Sequence, residues 1–292
     1  MIASMTGYAA LTFDLPQGAL QLEIKSVNSR FLDIQFRIGE ELRSLEPALR
    51  ELIAARVVRG KVDCRFGFTP RTQSGAGLAL DRDLLARVAT LAREARALVP
   101  EAAPIGLGEL LHWPGVLAGN EVPLDVLREP ALALAREGVA ELSATREREG
   151  AKLAQMITER VEAMRQKVST LVPLMPQIVA AYQEKLSARL REVLASGEEE
   201  RIRQEVAVFG VKIDVAEELS RLSAHLDEVS RVIASGGKGA GSAGKRLDFL
   251  MQELNREANT LGSKSVAREL SEAAIELKLL IEQMREQIQN VE

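Results

Sequence analysis

Hydrophobic and polar positions along this chain change period twice. Near the start they alternate. Leu20, Leu22 and Ile24 interleave with Gln21, Glu23 and Lys25. After the turn-like Asn28-Ser29-Arg30, Leu32, Ile34, Phe36 and Ile38 interleave with Phe31, Asp33, Gln35 and Arg37. Strict alternation of this kind predicts half-buried strands. A helix is predicted over about 44–58, with Ser44 as its N-cap, Pro47 in its first turn and Gly60 as its stop. Residues 61–69 return to strand, with Val62, Cys64, Phe66 and Phe68 in phase. From Asp81 the period becomes helical. Helices are predicted over 81–99, 131–172 and 177–194, with breaks at Pro100, Pro104, Gly106, Gly108, Pro123 and Pro130 and an interruption at Pro173 and Pro176. A final helix over 266–291 carries Leu270, Leu277, Met284 and Val291 at steps of seven, interleaved with Ala274, Ile281 and Ile288. That a/d-like seam suits either the chain's own helices or a neighbouring subunit.

The fold class these elements predict is α+β: an N-terminal mixed or antiparallel sheet with helices, then a mostly α-helical C-terminal part with long helices. The expected division is 1–155 for the α+β domain, 156–210 for a long helical connector and 211–292 for a C-terminal helical domain.

Two amphipathic helices in the last part carry polar residues that their folding does not require. At about 100° per residue, Val215, Leu219, Leu222, Leu226, Val229 and Ile233 form one apolar face, and Asp214, Glu218, Arg221, His225 and Glu228 form a stripe on its flank. In the next helix Leu247, Leu250, Met251, Leu254, Ala258 and Leu261 are apolar. Glu253, Glu257, Thr260 and Lys264 line one flank, and Asp248, Gln252, Asn255 and Asn259 the other. If the apolar faces pack, the flanks border one groove holding carboxylates, an imidazole, amides and cations. That set suits metal-assisted chemistry on a phosphate ester. His225 and Glu228, with Glu253 and Glu257, are the expected ligands of Mn²⁺ or Mg²⁺. Such an ion would polarise the phosphate and generate hydroxide. Glu218 would orient or deprotonate, and Arg221 or Arg256 would balance charge on the phosphate oxygens. Without a metal, Glu253 and Glu257 are an unfavourable like-charged pair that Arg256 and Lys264 could offset. The glycine-rich loop 236–244 lacks the spacing of a nucleotide-binding P-loop, but Lys238, Lys245 and Arg246 could meet a phosphate backbone at a helix start.

Composition constrains this reading. The net charge is −4, so no global basic field attracts nucleic acid, and only local clusters or a shared cavity could do so. Aromatics at 3 % disfavour a binder built on base stacking. A single cysteine excludes an intrachain disulfide framework and a cysteine-based zinc site. The absence of a leader-like start and of any bilayer-length apolar run predicts a cytoplasmic protein with no membrane partner.

The run KRLDFLMQELNREANTLGSKS, the HLDE segment, the closing AIELKLLIEQMREQIQN, and near the start MTGYA and EIKSVNSRFLDI resemble the YicC family over essentially the whole chain. The resemblance implies a cytoplasmic endoribonuclease that uses a divalent metal and works as a ring-like homo-oligomer, a hexamer. It turns the closing seam toward a subunit contact, and it marks Lys25, Asn28 and Arg30 as RNA-binding candidates, beside Asn259, Lys264, Lys245, Arg246, Arg221 and Arg256 from the helix flanks and the loop. One departure is Ala9, where the family more often has a glycine suited to a tight turn. Metal-free transfer to the 2′-OH, which would recruit His112, is the alternative chemistry. An RNA-binding adaptor that hands RNA to other RNA-decay enzymes is the alternative function.

Overall fold

The computed structural model describes residues 2–71, 79–118, 122–193, 198–236 and 242–292. Four strands form one sheet: β1 (Gly7–Leu15), β2 (Gly18–Val27), β3 (Leu32–Ile38) and β4 (Gly60–Pro70), in the order β1-β2-β4-β3. β1 and β2 are an antiparallel hairpin, β2 and β4 are antiparallel, and β3 lies parallel to β4. The alternation read from sequence sets the faces. Leu20, Leu22, Ile24, Val62, Cys64 and Phe66 are buried on one side, while Gln21, Lys25, Lys61 and Arg65 are exposed on the other.

Asn28-Ser29-Arg30 does not close a hairpin, because β4 lies between β2 and β3. The chain leaves β3 through a 3-10 turn (Glu40–Leu45) and α1 (Glu46–Ala54), then returns as β4. That crossover is what parallel neighbours require. The helix expected over 44–58 is therefore two pieces. Ser44 is not its cap, and Leu42 and Leu45 turn the chain inward one turn early, although Pro47 does occupy the first turn of α1. Gly60 opens β4 with φ +124°, a conformation that favours glycine, and packs against the Val27 carbonyl and Ser26 hydroxyl. Ala9 lies inside β1 and is buried, so position nine is a core strand position rather than a tight turn.

A small arm follows: β5 (Ala79–Leu80), α2 (Arg82–Leu98), α3 (Leu107–Leu111) and β6 (Leu117–Ala118), with Asp81 capping α2 through the Leu84 N–H at 2.8 Å. Then α4 runs for 48 residues, Leu124–Leu171. It begins before Pro130 rather than after it. Val126, whose carbonyl loses its partner to that proline, is exposed to water. α4 serves two cores. Leu127, Leu134 and Leu142 pack on the sheet, and Ile157, Val161, Met164 and Val168 pack on the last three helices. After Pro173 the chain turns into α5 (Met175–Val193) and α6 (Glu199–Lys212), which pack on each other.

The second core is built by α7 (Ala216–Ser235), α8 (Ala243–Ser263) and α9 (Arg268–Ile288) against α4. The seam of α9 and the residue just beyond it, Leu270, Ala274, Leu277, Ile281, Met284, Ile288 and Val291, is buried within the single chain. It therefore packs on the chain's own helices, and its use as a subunit contact is overturned.

Residues 289–292 sew the two cores together. The Asn28 amide donates to the Gln289 carbonyl at 2.7 Å, and the Met5 N–H to the Asn290 carbonyl at 2.8 Å. Arg59 donates to the Val291 carbonyl. Glu292 pairs with Arg146, which is buried to 3 % exposure, and accepts from the Val58 and Arg59 N–H groups at 3.0 Å each.

Candidate functional site

The apolar faces of α7 and α8 pack as their periodicity requires, and their polar flanks meet. α7 ends on Gly236 at φ +61°, a left-handed cap that frees the chain to turn back. Three ion pairs then cross the seam in antiparallel order. Lys264 Nζ meets Glu218 Oε1 at 2.7 Å and also donates to the Asp214 carbonyl at 2.9 Å. Arg221 reaches Glu257 at 3.5 Å and Glu217 at 2.5 Å. Arg246 meets Glu228 at 2.9 Å, and Arg231 binds the same carboxylate at 2.7 Å.

Two of these carboxylates are withdrawn from water. The side chains of Glu218 and Glu257 are 8 % and 5 % exposed. Glu218 Oε2 is buried and has no hydrogen-bond partner among the described residues. An unpaired buried oxygen beside an ammonium is an uncommon arrangement, because leaving such a group unsatisfied costs about 1–3 kcal/mol or more. Glu228 is held below the usual carboxylate range, first by its hydrogen bond to Arg231 and also by Arg246, against a smaller opposing effect of burial. Arg221 is held more firmly protonated, chiefly by Glu217 and then by Glu257.

The groove thus exists, but its composition differs from the expected one. Among the described residues no three histidine, cysteine, aspartate or glutamate side chains gather to hold a metal ion. His225, Glu228, Glu253 and Glu257 are thus not gathered at one point within the chain. The physical reason is pairing. Arginine occupies Glu228 and Glu257, and Glu253 has Arg256 at 3.9 Å, so the carboxylates are neutralised one by one rather than pooled. His225 is half-buried one turn from Arg221 and one turn from Glu228, with no side-chain hydrogen bond among the described residues. His112 belongs to the arm, where its Nδ1 contacts the Gly108 carbonyl at 2.7 Å.

The RNA-contact candidates fall into three groups. Arg221, Lys264 and Arg246 are in the ladder. Asn259 bonds Asn255 at 3.0 Å along α8, while Arg256 and Lys245 are exposed. Lys25 lies on the open sheet face, and Arg30 stacks over the Phe31 ring at 5.3 Å. Asn28 is committed to joining the cores. Lys238 lies outside the described residues. The sequence reading missed Glu217, Arg59 and the Arg146–Glu292 pair. Only Glu217 left a signal, since it stands four residues before Arg221.

Two family matches cover this architecture: "Endoribonuclease YicC-like, N-terminal region" over 2–155 and "Endoribonuclease YicC-like, C-terminal" over 171–292. The chain belongs to the YicC-like endoribonuclease family. A Haemophilus influenzae protein named "Probable endoribonuclease YicC" is 37 % identical over 292 residues, with all of both chains covered. A Clostridioides difficile protein of the same name is 29 % identical over 297 residues, again with full coverage. In this YicC-like chain the N-terminal match ends, and the C-terminal match begins, around the second half of α4. The α7–α8 ladder lies in the C-terminal match. No helix among the described residues is long and apolar enough to cross a membrane.

Proposed function

We propose that this chain cleaves phosphodiester bonds in RNA and that the chemistry occurs on the α7–α8 ladder. The observation that supports the reading is Glu218, a buried carboxylate with Oε1 on Lys264 and Oε2 unbonded. Once the phosphate draws Lys264 away and uncovers it, Oε2 accepts the proton of the attacking hydroxyl and returns it to the oxygen that leaves as the P–O bond breaks. Lys264 and Arg221 lie beside it and turn toward the phosphate oxygens as charge grows there. Glu257 and Glu217 hold Arg221 in place until the substrate arrives. The names of the two relatives agree with this substrate class.

A divalent ion, a ring-like homo-oligomer and a cytoplasmic location complete the proposal, and they rest on the family resemblance. No step above depends on them. Adding EDTA tests the ion, light scattering tests the assembly, and fractionating cells tests the location.

A second reading has its own support. Every cross-helix cation of the ladder already has a carboxylate partner, which suits a structural seam in a non-catalytic RNA-binding adaptor. Cleavage of an end-labelled structured RNA separates the two. Glu218→Gln keeps the Lys264 contact but cannot take a proton. It is expected to lower the cleavage rate about 10²–10⁴-fold while RNA binding and melting temperature stay near wild type. Binding without cleavage by the wild-type protein would favour the adaptor, and full cleavage by Glu218→Gln would move the chemistry away from this carboxylate.

A further inference from the structure

β1 is an edge of the sheet. It pairs with β2 from Gly7 to Leu15 in unbroken register and has no strand on its other side among the described residues. Natural sheets protect such edges with charged side chains, proline, bulges, short length or a covering helix or loop; α4 packs on this strand but leaves a groove along it. Here the edge is nine residues, GYAALTFDL, with no proline, no bulge and no basic side chain. Outside the β1–β2 ladder, no backbone hydrogen bond among the described residues involves Tyr8–Leu11.

α4 runs beside this edge in the opposite direction. Gly7 lies against Leu142 and Arg146, and Gly138 lies against Leu22, the partner of Leu11. Between them is a groove of about 620 Å³ with Tyr8–Leu11 as its floor and Glu137, Ala140, Glu141 and Ala144 as its wall. We propose that this groove docks an extended segment of another protein, carrying basic residues at alternate positions, as a fifth strand of the sheet.

An added strand would satisfy the free backbone groups of the edge. Every second side chain would point toward α4, at a spacing of about 6.7 Å. Glu137 and Glu141 stand one helical turn apart, about 6 Å along the axis. Ala140 and Ala144 leave room for aliphatic stems whose charged heads reach those carboxylates. Glu141 is held by Arg148 at 3.0 Å, but both partners are exposed and the pair is exchangeable. The groove lining has two acidic side chains and no basic one, which disfavours a nucleic-acid backbone. A second copy of β1 fits poorly as well, since it brings no cation to Glu137 or Glu141.

The test uses the full chain and two fluorescent ten-residue probes of one composition, Lys and Val alternating or in two blocks, titrated at physiological salt. The alternating probe is expected to bind at least about tenfold tighter. It should slow amide exchange at Tyr8–Leu11, and Glu137→Lys with Glu141→Lys should weaken binding by a similar factor. Equal binding of the two probes, unchanged binding by the double variant, or unchanged exchange at the edge would overturn the proposal. So would protection of Tyr8–Leu11 that rises with protein concentration in the absence of probe, because a second copy would then occupy the edge. Both glutamates are exposed, and the exchange experiment on unmutated protein decides the matter should the variant misfold.

Discussion

Burial in the sheet pushes the Cys64 thiol up to about 12, with the neighbouring Asp63 carboxylate adding to the effect. The neutral thiol is favoured in the folded state, so its contribution to stability is complete below the ordinary thiol range. It declines as pH rises toward the folded value, by about 1.4 kcal/mol per unit. At pH 8 the thiol should react with an aromatic disulfide reagent only at the rate of unfolding. Immediate stoichiometric reaction of the native protein would mean that β4 opens locally. Cys64 was legible in the sequence because it alternates in phase with Val62 and Phe66. Glu218 was legible only as a member of a stripe. Nothing in the stripe said that Lys264 would take one of its oxygens and leave the other free.

At the scale of the element, α9 is the clearest case. Its steps of seven predicted a helix with one continuous apolar stripe, and the helix is there. A stripe records that a surface is covered and not what covers it. Here α4 and α8 of the same chain do so. Leu277→Ala should therefore cost about 2–5 kcal/mol in chemical denaturation, with no change in the mass of whatever assembly the native protein forms. A change in mass at unaltered stability would restore α9 as a subunit contact. The turn at Asn28-Ser29-Arg30 failed for a related reason. Alternation gives each strand its face but not its neighbour, and β4, more than twenty residues later, takes the place beside β2.

The whole molecule depends on α4 and on residues 289–292, which join two cores that otherwise lie at opposite ends of one long helix. Arg146 is buried mid-helix, where its guanidinium meets Glu292 and the Ser4 carbonyl, the latter at 2.7 Å. Removing one partner leaves a buried charge uncompensated. Glu292→Ala should cost about 3–5 kcal/mol and split a single denaturation transition into two, one for each core. Survival of one cooperative transition at wild-type midpoint would show that packing along α4 alone couples the cores. Gly150 belongs to the same junction, because a methyl group there would overlap the Ile2 carbonyl oxygen.

The amino-acid pattern alone carries the α+β class, the faces of strands and helices, and the interruption after Pro173, though not a break at Pro130. These follow from local periodicity and backbone chemistry. Tertiary structure alone decided the strand order β1-β2-β4-β3, the two-core role of α4 and the covering of α9. It also decided the pairing of the ladder carboxylates with Arg221, Arg246 and Lys264. Such pairings join residues far apart along the chain, and a cation three or four positions away leaves the same local pattern whether its partner lies on its own helix or on the next.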